Sequence, residues 1–201
     1  MDDKDGREGR QRAKADFRFD DARLCFAFAG TLADRGTDTP FERLVRPEDL
    51  SRWAVQSACA TTPPSCTEAD LGRARHLREA IQRTGRALAD TVPPSPEDIA
   101  LVNRAAAEPA SVPVLAPDAS TVRWHGDAVT SVLSMVARDL IDLCASDHRT
   151  RVRICGNPDC GVPFVDASRA GARRWCSMKT CGALVKKRAY RAKLHAPADD
   201  A

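Results

Sequence analysis

Four cysteines, Cys155, Cys160, Cys176 and Cys181, crowd into 27 residues with the spacing C-x4-C-x15-C-x4-C. Paired thiols at short spacing, separated by a longer loop, suit a tetrahedral four-cysteine metal site. Each pair turns back as a knuckle, and the loop brings the two pairs together. The x4 interval lies at the upper end of the usual range. A disulfide framework is a poor alternative. The first sixteen residues alternate acids and bases with no hydrophobic centre, so they do not read as an export signal, and a reducing compartment is expected. An iron–sulfur cluster or a redox-sensing set of dithiols would use the same residues, so spacing alone leaves both open. The favoured cofactor is one structural Zn2+, because four thiolates close the shell that a catalytic zinc would keep open. Cys25, Cys59, Cys66 and Cys144 are scattered without ligand-like spacing; Cys59 and Cys66 flank a proline loop and read as buried or idle thiols.

Charge marks off the same region. Residues 149–193 carry twelve Lys or Arg against Asp159 and Asp166, a segment of +10 in a chain whose total is +3. The remainder is therefore about −7, and such asymmetry points to a polyanion-binding end on a neutral-to-acidic body. Candidate nucleic-acid contacts are Arg169, Arg173, Arg174, Lys179, Lys186, Lys187, Arg188, Arg191 and Lys193. Lys187 and Arg191 are four apart and share a helical face, while Val185, Ala189 and Ala192 form an apolar strip for packing. The bland reading is a solvated helix face, and the adjacent cysteines weigh against it.

No apolar run approaches the roughly 18 residues needed to span a bilayer, so no membrane partner is expected. Residues 1–16 are charged and nearly free of apolar side chains, and are expected to be disordered, as is the tail at 196–201. Leu24, Phe26 and Phe28 recur at period two, yet the small residues between them also suit a buried helix. Helices are expected from Pro47, with Leu50, Trp53 and Ala54 on one face, and from Thr67, with Leu71, Ala74, Leu77, Ile81 and Leu88. A further helix follows Ser95 as its cap, and another spans 126–144. Residues 111–124 read as a short hairpin. Arg151-Val-Arg-Ile leads as a strand into the first cysteine pair, Val162-Pro-Phe-Val-Asp returns, and a helix-compatible run follows from Gly182 to Leu194. A knuckle, a hairpin and a helix whose start supplies two ligands make a treble clef. Trp175 reads as the core aromatic of a small finger. His76 and His125 read as surface or satisfied histidines, and Asp166 as a loop-orienting acceptor of backbone N–H bonds.

Arg153-Ile-Cys-Gly-Asn-Pro-Asp-Cys, Phe164-Val-Asp-Ala-Ser-Arg and Arg173-Arg-Trp-Cys-Ser-Met-Lys-Thr-Cys-Gly resemble the CGNR-type zinc finger. In that family the finger follows an ABATE domain, and its members are regarded as stress-induced transcription regulators of bacteria. Arg23-Leu-Cys-Phe-Ala-Phe-Ala-Gly-Thr-Leu-Ala-Asp-Arg resembles the ABATE opening, and Pro47-Glu-Asp-Leu-Ser-Arg-Trp its next helix. The resemblance implies a helical opening and an α+β fold, with a predominantly helical N-terminal domain holding a small β element and a C-terminal treble-clef-like finger. Two departures stand out. Ala183 and Leu184 replace the Asn and Arg that name the finger, and Ala27 and Gly30 stand where the ABATE opening commonly has Asp and Asn.

The chain is therefore expected to divide into a sensing or assembly domain at 17–146 and a DNA-binding finger at 147–195. The expected partner is double-stranded DNA, a small-molecule effector and a homodimer are left open, and the expected location is the cytoplasm. The rival readings are an RNA-binding zinc module, a protein-interaction adaptor and a thiol redox sensor. No Ser/His/Asp set, phosphate-cradling glycine loop or paired carboxylates point to an enzyme.

Overall fold

The computed structural model describes residues 16–19, 23–110, 112–125 and 128–194. The charged tails expected at 1–16 and 196–201 lie outside these residues, apart from Asp16. Helix α1 (Leu24–Ala29) settles the ambiguity of the opening segment. Cys25, Phe26, Ala27, Phe28 and Ala29 are all buried, so the helix is enclosed on every side and shows no amphipathic period. Its N-terminus has no cap of its own. Asp139, far along the chain, accepts the Cys25 N–H at 2.9 Å, and Arg23 clamps Asp139 and Asp142 at 2.8 and 2.6 Å. A carboxylate at the positive end of the helix satisfies donors that the chain leaves open there.

A two-residue ladder, β1 (Leu32–Ala33) with β2 (Phe41–Glu42), precedes α2 (Pro47–Gln56). Asp49 receives the Val45 and Arg46 N–H groups at 3.0 and 2.9 Å. Leu50, Trp53 and Ala54 face inward as expected, and Phe28 meets Trp53 edge-on at 4.8 Å. The long helix α3 (Glu68–Ala89) has 22 residues, about 33 Å at 1.5 Å per residue. Thr67 and Asp70 close a reciprocal capping box at its start. Every large element except the C-terminal helix touches α3. It packs on α1, α2, α4 (Pro96–Ala107) and α5 (Val129–Ala145). Arg78 on α3 is only 3% exposed, and it survives burial by forking onto Glu42 at 2.6 and 2.8 Å.

The expected hairpin is β3 (Val112–Leu115) paired with β4 (Val122–His125), and all four β3 residues are exposed. The helix expected at 126–144 begins at Val129; residues 126–127 and the side chain of His125 lie outside what is described. A single 3-10 turn, Asp147–Arg151, connects α5 to the finger. There β5 (Val152–Ile154) pairs antiparallel with β6 (Pro163–Val165), Arg153 opposite Phe164. The finger is not a separate bead. Val152 is fully buried in the same core as Leu71, Ile81 and Leu140, and Val165 packs against that core. Gly85 makes this possible, because a Cβ there would lie 2.7 Å from Pro163 and 2.8 Å from Phe26. Gly36 plays the same part on the other side: it donates to Asp159 O at 3.1 Å, and its own Cβ would sit 1.8 Å from Pro158 O. Gln82 adds a bond to Gly161 O at 2.7 Å.

Candidate metal centre and basic face

The knuckle of the first pair is held by Cys160 N–H donating to Asn157 O at 2.9 Å and Cys155 N–H to Val162 O at 3.0 Å. The second pair reaches it through backbone contact. Gly156 N–H donates to Arg174 O at 2.7 Å, and a Cβ at Gly156 would meet that oxygen at 3.0 Å. Cys176 N–H points at Cys155 Sγ, 3.4 Å away. Cys181 sits in a wide π-type turn, Met178–Gly182, capped by Ser177, which accepts the Thr180 N–H at 3.3 Å. Asp166 does orient the intervening loop: its carboxylate accepts from Ser168 N and Oγ and from Arg173 N at 2.6–2.9 Å.

All four Sγ atoms lie within 4.8 Å of one another, and Cys176 Sγ is 3.6 Å from both Cys160 Sγ and Cys181 Sγ. A tetrahedron with Zn–S bonds of about 2.3 Å has edges of about 3.8 Å, so the set fits one zinc ion. So tight a span encloses a single ion and is too small for a cluster of several irons. The protons of the four thiols are shared unequally. Hydrogen bonding from Cys160 and Cys176 pushes Cys155 down to about 7, and bonding from Cys155, Cys160 and Cys176 pushes Cys181 well below the usual thiol range. The same contacts, those with Cys155 first, drive Cys160 and Cys176 up. Like groups packed this closely cannot all ionise unless a cation shares the site. Zinc supplies that charge, and with four protein ligands its role is structural. Asn157, 3% exposed, braces the knuckle: its side-chain oxygen accepts the Asp159 N–H at 3.4 Å and its backbone oxygen the Cys160 N–H.

The nine candidate contacts separate into groups. Arg169, Arg174, Lys179, Lys186, Lys187 and Arg191 are exposed, and no ion pair among the described residues engages them. Arg188 is exposed but paired with Asp159 at 2.5 Å. Arg173 turns inward: it donates to Trp175 O at 2.8 Å and Cys176 O at 2.5 Å, and its guanidinium lies 5.3 Å from the Phe164 ring centroid. Its charge braces the finger. The Lys193 side chain lies outside the described residues. Trp175 is half-buried beside Gly182, with Arg174 over its ring at 5.3 Å. The last helix, α6 (Ala183–Leu194), departs from expectation in one respect. Val185 is half-buried, but Ala189 and Ala192 are exposed, because the helix leaves the finger after its first turn and no described helix or strand covers that strip.

A cavity of about 310 Å³ lies between the finger and the body. Phe26 and Arg43 line it from one side, Phe164, Thr180 and Leu184 from the other. Ala27, Gly30 and Leu184, three of the four positions that depart from the expected motifs, all lie on its walls. Arg43 is 4% exposed and donates to Asp16 O and Gly30 O at 3.0 and 2.9 Å. Burial first, then the neighbouring Arg18 charge, pushes Arg43 down to about 10. Sequence reasoning missed this cavity, since its walls come from segments more than a hundred residues apart.

A mostly helical body with a four-thiol treble-clef finger fused to its core defines a zinc-finger protein of the α+β class. The chain belongs to the ABATE family, described as "putative stress-induced transcription regulator", which matches residues 22–147. The CGNR zinc finger matches residues 151–193. Neither is an enzyme family. A search of curated proteins found no match. No helix among the described residues is long and apolar enough to cross a membrane.

Proposed function

We propose that this protein is a transcription regulator whose finger grips duplex DNA, with no catalytic activity, acting in the cytoplasm. The observation that carries this reading is α6: a 12-residue helix, about 18 Å long, that leaves the zinc site with Lys186, Lys187 and Arg191 exposed and, among the described residues, only the Arg188–Asp159 ion pair tying it back beyond its first turn. An α-helix fits the B-DNA major groove, and Lys and Arg along its edges meet phosphates on both strands. Zinc is what aims it, because the π-type turn holding Cys181 runs directly into its first residue. Arg169, Arg174 and Lys179 extend the basic face around the base of the helix.

Leu184 in place of the motif's arginine removes one charge from the start of the helix, so the grip relies on the residues further along it. The test is selection of genomic duplex fragments by the zinc-loaded chain, beside a Cys176→Ala variant and with structured RNA as competitor. A shared sequence that the variant fails to recover and RNA fails to displace supports the reading. Random fragments displaced by RNA overturn it and leave an RNA-binding module.

A further inference from the structure

We infer, resting on the DNA-binding function proposed above, that Tyr190 and Leu194 are the base-reading residues of α6. They meet thymine methyl groups in the major groove, while the basic residues around them hold phosphates. Tyr190 and Leu194 are 64% and 63% exposed, more than any other large apolar side chain among the described residues. They stand one turn apart on the same helix, and apolar surface left together in water marks a contact site.

Two contacts fix which way the helix faces. Val185 is half-buried and Arg188 is tied to Asp159 of the first knuckle, so their side of α6 is turned toward the finger. At about 100° per residue, Tyr190 and Leu194 lie within about 30° of the line directly opposite. Lys186 and Lys187 fall about 50° to either side of that line, and Arg191 about 90° round from it, beyond Lys187. All three are exposed, no described ion pair engages them, and α6 carries no acidic residue. The outward face is an apolar midline between two basic edges.

That distribution is complementary to a duplex groove. Phosphates line both rims of the major groove and take charge-assisted bonds from Lys and Arg, but they carry no sequence information. Base edges form the floor between the rims, and there the thymine C5-methyl offers an apolar contact. Tyr190 and Leu194 are about 6 Å apart along the helix axis, close to two base-pair steps, so they reach neighbouring pairs. The Tyr190 ring and the Leu194 side chain pack on methyl groups, and the Tyr190 hydroxyl can donate to or accept from a base edge beside them. A second copy of the chain would suit the apolar midline but not the like charges that border it.

The test is selection from a randomised duplex pool by the zinc-loaded chain, beside the double variant Tyr190→Ala, Leu194→Ala and the single variant Lys187→Gln. The double variant should keep its Tm, lose the preference at about two neighbouring T·A pairs, and keep the slope of log K against log salt. Lys187→Gln should do the reverse, binding every sequence more weakly with a slope shallower by about one. Deoxyuracil in place of thymine at those pairs removes only the methyl groups. It should weaken binding by the native chain several-fold and leave the double variant unaffected. A preference that survives in the double variant overturns the assignment, as does an equal loss on deoxyuracil in both chains. A lowered Tm, or a dimer that the double variant turns into a monomer in sedimentation, overturns it too, since the two side chains are then packed against protein. If the native chain binds duplex DNA with no shared sequence, base reading fails and the DNA grip stands. If it binds no duplex DNA, the proposed function fails with it.

Discussion

Replacing Gly85 by alanine adds one methyl group where Pro163 of the finger and Phe26 of the body both press on α3. Two effects oppose each other. Glycine in a helix interior is less favourable than alanine by about 1 kcal/mol, so the helix itself gains. Against that, the new Cβ would meet Pro163 Cγ at 2.7 Å, Phe26 Cε1 at 2.8 Å and Pro163 Cβ at 2.9 Å. Both neighbours are rings, one locked by its own backbone and one almost fully buried, so neither can swing aside. Overpacking of this kind costs about 1–3 kcal/mol, and two enclosed rings place it toward the upper end. The net expectation is a loss of about 1–2 kcal/mol, a fall in Tm of about 3–6 °C for a chain of this size. Gly72, on the same helix, is the control: a Cβ there meets nothing within 4 Å. Gly72→Ala should gain about 1 kcal/mol and raise Tm by about 3 °C. Thermal unfolding of the two zinc-loaded variants, with hydrogen exchange across residues 151–166, reads both signs and shows whether the finger loosens. If Gly85→Ala stabilises as much as Gly72→Ala, Pro163 does not pack on α3 and the docking of finger on body is wrong.

Zinc removal by a chelator should disorder residues 151–194, seen as loss of exchange protection and a change in Trp175 fluorescence, while α2 to α5 stay protected. Zinc binding contributes roughly 10–16 kcal/mol in finger peptides, comparable with the whole stability of a domain. Acid should weaken the body through α3. Burial pushes Asp70 up, but hydrogen bonds from Thr67 and the Arg73 charge outweigh it and hold the carboxyl below its usual range. Glu79 is held down in the same way, burial being overcome by Arg35 and Arg78. A depressed folded pKa means stability fully present above the ordinary carboxylate range and lost as pH falls through the folded value. Asp70→Asn should therefore lower Tm at pH 7 and flatten its fall between about pH 5 and 3; an unchanged slope would show that the capping box carries no such linkage. Asp159→Asn releases Arg188 from its ion pair, so DNA affinity should rise several-fold and the salt slope steepen by about one. Unaltered affinity and slope would place Arg188 away from the phosphates.

The four cysteines, the β5–β6 hairpin and the helices from Pro47 and Thr67 were legible because each rests on local spacing: a ligand interval, an alternation, a capping residue ahead of a periodic stripe. Helix α1 was ambiguous for a physical reason. All its faces are enclosed, and its cap is Asp139 from another helix, so neither period nor cap is visible locally. Charge counting marked the basic end but could not separate Arg173, spent on the carbonyls of Trp175 and Cys176, from Lys187, which is free of any described ion pair. Helical spacing put Val185, Ala189 and Ala192 on one strip, yet spacing names a face and not a neighbour, and beyond Val185 that strip is exposed among the described residues. The backbone approaches at Gly36 and Gly85, and the cavity between finger and body, depend on residues brought together only by the fold.

Whether the finger is a DNA grip is tested most directly by the affinity of the zinc-loaded chain for duplex DNA as a function of salt, beside the triple variant Lys186→Glu, Lys187→Glu, Arg191→Glu. If the six exposed basic residues neutralise phosphates, log K falls against log salt with a slope of about −5, and the triple variant loses both most of the affinity and about half the slope. A shallow slope for the native chain, or a triple variant that binds as tightly as it does, would contradict α6 as the DNA-contacting helix.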